Sequence, residues 1–237
     1  MDLGTAGRVA LVTGSSSGLG RAAAASLSRE GAYVVLNARG IERLREAEAE
    51  MPGEALAVAD DVTDPEAPER LVRAAVERFG RLDILVANAG GPPAGRALDV
   101  DDEAFRSALN ANLLTSIRLV RAAVPHMRSG GWGRIVLITS RSVKQPIPDL
   151  ALSNTARTGL WAWAKTAAQD LARDAITLNL ACPGTHATER ARSLGLSGKM
   201  GDPADFGDVV AFLCSDQAGF ITASAVQVDG GEITGLL

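Results

Sequence analysis

One tyrosine, two histidines and two cysteines are all that occur among 237 residues, and aromatic side chains make up only 4% of the chain. The cysteines, Cys182 and Cys214, lie in apolar runs far apart and without metal-ligand spacing. They exclude a disulfide framework, predict no metal site, and are expected as reduced, buried thiols of a cytoplasmic protein. No stretch is long and apolar enough to span a bilayer, and Met1-Asp2-Leu3-Gly4 lacks the charged-then-apolar pattern of a secretory signal. The formal net charge is −4, so there is no basic face of the kind nucleic acid requires. Lysine is scarce, confined to Lys144, Lys165 and Lys199. What the chain does have is a 46% apolar, 22% charged balance, with enough aliphatic content to fill a sizeable core.

Short β-rich runs alternate with helical patterns from end to end. Strands are expected at 8–13, 32–37, 55–59, 82–87, 134–139, 176–181 and 225–228. Near-continuous apolar runs of this length are the mark of strands covered on both faces. Helices are expected at 18–30, 41–51, 65–79, 102–128, 149–173 and 203–215. Asp64-Pro65 and Asp202-Pro203 supply an N-cap followed by proline in the first turn. Such alternation implies one α/β domain over residues 1–237, a doubly wound parallel sheet with helices on both faces.

Thr13-Gly14-Ser15-Ser16-Ser17-Gly18-Leu19-Gly20 joins the first strand to an alanine-rich helix. A helix N-terminus presents unpaired N–H groups and the positive end of the macrodipole, and so stabilises a diphosphate. Three glycines in eight residues can make only a tight turn, but here they open the first unit of a βαβ series, at Gly14, Gly18 and Gly20. That placement points to a dinucleotide, with Ser16, Ser17 and Leu19 in the same turn. After the second strand stands Asn37-Ala38-Arg39, with no acid for adenine-ribose hydroxyls and a guanidinium suited to a 2′-phosphate. NADP(H) is therefore favoured, with NAD(H) possible; the alternative is that Arg39 merely starts the next helix on the solvated surface. Asp61-Val62 is placed to meet the adenine and Asn88-Ala89-Gly90 the adjoining ribose, while Asp60 and Asp64 read as caps or surface acids.

These residues, with Asn112, Ser140, Pro183-Gly184 and Val228-Asp229-Gly230-Gly231, make the chain resemble the short-chain dehydrogenase/reductase family over nearly its whole length, the 3-oxoacyl-acyl-carrier-protein reductase branch above all. The resemblance implies a Rossmann-type seven-stranded sheet, a nicotinamide cofactor, a small-molecule or acyl-thioester substrate, and often a homotetramer joined through long helices. It also implies that Ser140 polarises a carbonyl and that the loop carrying Pro183, Gly184, His186 and Thr188 holds the nicotinamide. The apolar excess on 149–173 (Leu150, Leu152, Leu160, Trp161, Trp163, Leu171) fits either a subunit contact or ordinary burial.

One part of that pattern is missing. The family's tyrosine and lysine fall on Ser153 and Arg157, and the only tyrosine, Tyr33, lies elsewhere. A four-residue step keeps both side chains on one helix face. Serine, however, is a far weaker acid than a phenol of pKa ~10, and arginine holds ribose hydroxyls without relaying protons. Other proton sources are His186, which is otherwise a solvent-facing loop residue, Lys144 or Ser142, and a water held by Asn112, Ser153 and Arg157. His126 reads as a last-turn residue. Only residues 191–200 intervene where a lid is usual, so an open pocket is expected, walled opposite by Pro146, Ile147, Pro148 and Leu150. The expectation is an NADP-dependent carbonyl reductase with an atypical proton donor; the alternative is a nucleotide-binding sensor or assembly subunit.

Overall fold

Burial of every residue of Val9–Thr13 fixes the centre of the molecule. Successive side chains of a strand point to opposite faces. Val9 and Leu11 accordingly enter one apolar cluster and Ala10 and Val12 the other. In the computed structural model, which describes residues 2–236, this first strand (β1) lies near the middle of a seven-stranded parallel sheet ordered β3-β2-β1-β4-β5-β6-β7. The other strands are β2 Tyr33–Ala38, β3 Ala55–Ala59, β4 Ile84–Ala87, β5 Gly133–Ile138, β6 Ile176–Pro183 and β7 Ala225–Val228. The chain builds outward from β1 through β2 to β3, then resumes on the other side of β1 with β4. That reversal opens a crevice beyond the strands' carboxyl ends, where ligands of such sheets bind.

The helices are α1 Gly18–Arg29, α2 Ile41–Ala49, α3 Ala67–Phe79, α4 Asp102–Leu109, α5 Thr115–Gly130, α6 Ala151–Leu171, α7 Glu189–Ser193 and α8 Pro203–Leu213. Two differ from expectation, and the short α7 is a helix that was not expected. The helix expected over 102–128 is interrupted by a π turn at Asn110–Leu114. The Thr115 hydroxyl serves the displaced carbonyl of Asn110 at 2.9 Å and reaches Val62 O at 3.2 Å. Such single turns interrupt helices where an extra residue must be accommodated. The helix expected from 65 begins at Ala67, because Asp64 accepts from the Glu66 N–H and holds the chain in a turn. Asp202 does cap α8, accepting from Ala204 N at 2.9 Å with Pro203 in the first turn.

The buried polar groups are mostly satisfied in ways that lock the strands' ends. Asp83, at the entry to β4, accepts from Val9 N at 2.9 Å and from both Nε and Nη2 of Arg81 at 2.7 and 2.6 Å. Arg134 on β5 donates to Ser215 O and stacks on Trp132, its guanidinium carbon 4.3 Å from the ring centroid. Both cysteines are buried and unpaired, and burial raises the pKa of each thiol.

Candidate active site

The two loops that follow β1 and β4 are stitched together before any ligand is considered. Thr13 Oγ1 donates to Asn88 O at 2.8 Å and accepts from Asn88 N at 2.9 Å, while Asn88 Nδ2 donates to Gly14 O at 3.1 Å. Gly14 and Gly18 have φ of 58° and 59°, a region that L side chains rarely adopt. A Cβ on Gly20 would stand 2.3 Å from Gly14 O. Glycine here lets the turn close tightly enough for α1 to begin at the sheet's edge. Ser17 is extended and makes no capping bond, so no side chain takes up the first N–H groups of α1. Gly18 and Leu19, the first residues of that helix, line a cleft of about 810 Å³. A volume of that order falls in the range of small-molecule and cofactor sites. An open helix start, a glycine turn without room for Cβ and a cleft of this size together fit a dinucleotide diphosphate.

The cleft brings together most of the residues singled out in the sequence: Gly14, Ser17, Gly18 and Leu19 from the first loop, Asn88, Ala89 and Gly90 from the fourth, and Pro183, Gly184, His186 and Thr188 beyond β6. Ser140, Ser153 and Arg157 join them. Thr188 reaches over Gly18, its Cγ2 lying 3.7 Å from where a Cβ of that glycine would be. Gly184 N donates to Val228 O at 3.0 Å, and a Cβ at Gly184 would meet Asp229 at 2.7 Å, so that loop needs glycine for close approach, whereas Gly230 and Gly231 are required by φ of 62° and 87°.

Others are placed elsewhere. Ser16 and Gly20 support the turn without lining the cleft. Arg39 is exposed beyond the end of β2, and Asp61 Oδ1 accepts from both N and Oγ1 of Thr63 at 3.0 and 2.8 Å. Val62 is half-buried against the core. Asn112 is 3% exposed inside the π turn, away from the cleft surface, with neither amide atom hydrogen-bonded. Asp60 is no simple surface acid: it takes a two-pronged ion pair from Arg70, which holds its carboxyl below the usual carboxylate range.

Three expectations are corrected. His186 is not solvent-facing; it is 6% exposed, edge-on to Phe206 and packed against Gly201, with Nδ1 3.2 Å from Gly184 O. Ser142 is fully buried beneath the loop and Lys144 turns toward the Trp161 ring, 5.5 Å from its centroid, so neither enters the cleft. Of the apolar wall, Ile147 and Leu150 line the cleft, while Pro146 and Pro148 are exposed.

At the floor, Ser153 and Arg157 are 6% and 7% exposed on α6. Arg157 Nη1 donates to Ile138 O at 2.9 Å and Nη2 to Ala89 O at 3.4 Å. No carboxylate pairs with it among the described residues. Burial pushes its guanidinium down to about 10, with Arg190 adding repulsion, yet it stays charged at neutral pH. Ser140 accepts from Ser142 N at 3.1 Å and keeps its own hydroxyl proton for another acceptor.

Three charged residues around the rim belong to no sequence motif. Glu232 accepts from Thr185 N at 2.6 Å and from Arg141 Nε at 2.8 Å, tying the C-terminal segment to the cleft loops. Arg190, on α7, extends to Gly91 O on the opposite lip at 3.4 Å. It follows Thr188 by two residues, which was the only available signal.

A crevice at the sheet's reversal, a glycine turn at an uncapped helix start and hydroxyls beside a buried cation define the class: a nicotinamide-nucleotide-dependent oxidoreductase. A family model described as enoyl-(acyl carrier protein) reductase matches residues 14–232. Dehydrogenase/reductase SDR family member 4 of Homo sapiens is 35% identical over 243 aligned positions, covering 95% of this chain and 87% of that protein. L-sorbose reductase from Gluconobacter frateurii, solved with NADPH and L-sorbose, is 32% identical and superposes with a TM-score of 0.93 over 100% of both chains. A dehydrogenase/reductase from Sinorhizobium meliloti 1021 is 32% identical, with a TM-score of 0.89 over 97% of this chain and 96% of that one. The chain belongs to the short-chain dehydrogenase/reductase family.

Proposed function

We propose that the protein reduces a ketone or aldehyde carbonyl with NADPH and that its proton comes from water rather than from a tyrosine. The observation that carries this reading is the convergence of Ser140, Ser153 and Arg157 on one cleft with the glycine turn. A nicotinamide cofactor in that cleft would supply the hydride. The chain's own residues would do the rest. The hydroxyls of Ser140 and Ser153 would donate to the carbonyl oxygen, and the fixed positive charge of Arg157 would favour the negative charge developing there. Arg157 keeps its proton at neutral pH, so a water entering the cleft would deliver the proton to the carbonyl oxygen. Loss of a positioned general acid costs roughly 10²–10⁴ in rate, and slow turnover is expected.

Support for NADPH over NADH comes from Arg39, exposed and without an ion pair among the described residues, beside a strand end that lacks an acid. The sorbose reductase solved with NADPH agrees with it. A 3-oxoacyl skeleton is the substrate suggested by the resemblance and by the description of the matching family model, and Ile147, Leu150, Leu194 and Leu196 supply apolar walls for it. A homotetramer in the cytoplasm completes the reading; Trp161 and Trp163 on α6, half-buried and packed in part against the core, would contribute to its contact surface, and light scattering tests it. The deciding experiment is fluorescence titration with NADPH and NADH, followed by an absorbance screen of 3-oxoacyl thioesters, diketones and aldehydes. Micromolar NADPH binding with slow oxidation is expected. Tight NADPH binding with no compound reduced would leave the nucleotide-binding sensor or assembly subunit.

A further inference from the structure

The charges around the cleft do not cancel. Three charged side chains, Arg141, Glu189 and Arg190, line its rim and Arg157 its floor. Glu189 is taken by Arg43, and Arg141 by Glu232. Each acid that reaches the cleft therefore already has a cation of its own. What is left over is Arg157 at the floor and Arg190 at the lip, neither with an acidic partner among the described residues.

These two guanidiniums hang from one short segment. Arg157 donates to Ala89 O and Arg190 to Gly91 O, both at 3.4 Å, so they act on the same stretch after β4 two residues apart. They are near enough for Arg190 to disfavour the charged form of Arg157. A buried cation held only by carbonyls is costly to keep without an anion. The diphosphate has its own seat at the start of α1, where Gly18 and Leu19 line the other part of the cleft. Leu150 and Leu194 line the same cleft as the two guanidiniums, and their apolar surface suits a short carbon chain.

We infer that the substrate carries a free carboxylate, gripped by Arg190 at the lip while its carbonyl oxygen turns toward Ser140, Ser153 and Arg157. A planar fork pairs with a carboxylate through two parallel hydrogen bonds, which an ester or thioester cannot accept with comparable strength. The substrate class is an oxo acid, and a 3-oxo acid matches the skeleton proposed above. The inference rests on the carbonyl-reductase reading. The chemistry balances with what that reading names: hydride to the carbonyl carbon, a water proton to its oxygen, and the nucleotide oxidised, with the carboxylate unchanged.

The test compares acetoacetate, ethyl acetoacetate and the N-acetylcysteamine thioester of acetoacetate on the full-length protein with NADPH. Acetoacetate should lead in kcat/KM by about tenfold or more, the ratio expected for a hydrogen-bonded charge. Arg190→Gln should bring that ratio close to one, whereas Arg192→Gln, whose guanidinium reaches Ala187 O and does not line the cleft, should leave it unchanged. An ester or thioester that reacts as fast as the acid would overturn the inference while leaving carbonyl reduction standing. So would an Arg190→Gln protein with an unchanged ratio and weakened NADPH binding, which would give Arg190 to the diphosphate. If none of the three is reduced, the functional reading fails on its own account, and calorimetry with malonate on the NADP⁺-loaded protein decides the anion site. Binding that Arg190→Gln weakens about tenfold supports it; absence of heat from malonate ends it.

Discussion

Arg157 on α6 donates to Ile138 O at 2.9 Å and reaches Ala89 O at 3.4 Å, so one guanidinium ties the end of β5 to the loop after β4. The same side chain is the positive floor of the cleft, and its two tasks compete under mutation. A lysine ammonium lacks the planar fork that spans two carbonyls in fixed directions. Stability and chemistry at this position are therefore expected to move apart.

Arg157→Lys alone should lower unfolding free energy by roughly 1 kcal/mol, the worth of one hydrogen bond left unmade. Combined with Ser153→Tyr, it should instead raise kcat by about 10²-fold or more, the contribution of a positioned acid. Urea unfolding and steady-state NADPH oxidation read the two effects separately. A double variant that binds NADPH normally and turns over no faster would show that the pocket, and not the proton relay, sets the rate.

Gly20→Ala forces a Cβ to within 2.3 Å of Gly14 O and 2.7 Å of Asn88 Nδ2, both parts of the stitched loops. Neither can retreat without opening the turn. Overpacking of this kind costs about 1–3 kcal/mol, and the displaced helix start should weaken NADPH binding at least about tenfold by calorimetry. Unchanged affinity in folded protein would mean that α1 does not hold the diphosphate.

Arg39→Gln should weaken NADPH binding by roughly 10- to 100-fold, the range for a hydrogen bond to a charged group, and leave NADH binding within a factor of about two. Parallel fluorescence titrations measure both. Equal losses for the two nucleotides would make Arg39 a solvated surface residue with no part in the choice.

The sheet was readable because strands buried on both faces are written as unbroken apolar runs, and all seven fall within two residues of their expected bounds. The glycine turn was readable for a different reason: its residues are local, and their conformational demands show in their identity. The π turn at Asn110–Leu114 was not, since an inserted residue leaves the apolar period on either side intact. Burial of His186 depends on Phe206 and Gly201, separated from it in sequence and brought near only by the packing of α8. Arg141 and Glu232 pair across 91 residues, and half-exposed charges carry no periodic signal to announce it. Long-range ion pairing at the rim is thus the part of the site that local pattern cannot supply.

Asp83 has the opposite character to Arg157: a buried charge with a full set of partners. Its carboxylate is 2% exposed and serves Arg81 and the Val9 N–H. Asp83→Asn keeps the shape but removes the charge and one acceptor, leaving Arg81 unmatched and risking an orphaned backbone donor. A loss of roughly 3 kcal/mol or less is expected, at or below the low end for breaking a buried pair because Arg81 is half-exposed. Because Asp83 lies at the entry to β4, far from the strands' carboxyl ends, NADPH affinity of the folded protein should stay within about twofold. Chemical denaturation with a matched nucleotide titration checks both halves; a stable variant would make this network dispensable.

Asp60 gives a pH-dependent counterpart. Arg70 hydrogen-bonds both of its oxygens at 2.8 Å and holds its folded-state pKa below the ordinary 3.8. A lowered folded pKa means that the unfolded chain binds the proton more readily, so stability rises with pH through this window. The contribution is complete above the unfolded value and drains away as pH falls through the folded one. Asp60→Asn should therefore cost roughly 1 kcal/mol near pH 7, and the cost should shrink as both proteins are acidified below the ordinary carboxylate pKa. Urea denaturation of the two proteins across that range measures the difference directly. A gap that stays constant down to the acid limit would mean that Arg70 holds the neutral side chain as well as the carboxylate, and that the ion pair is not what anchors α3 to the end of β3.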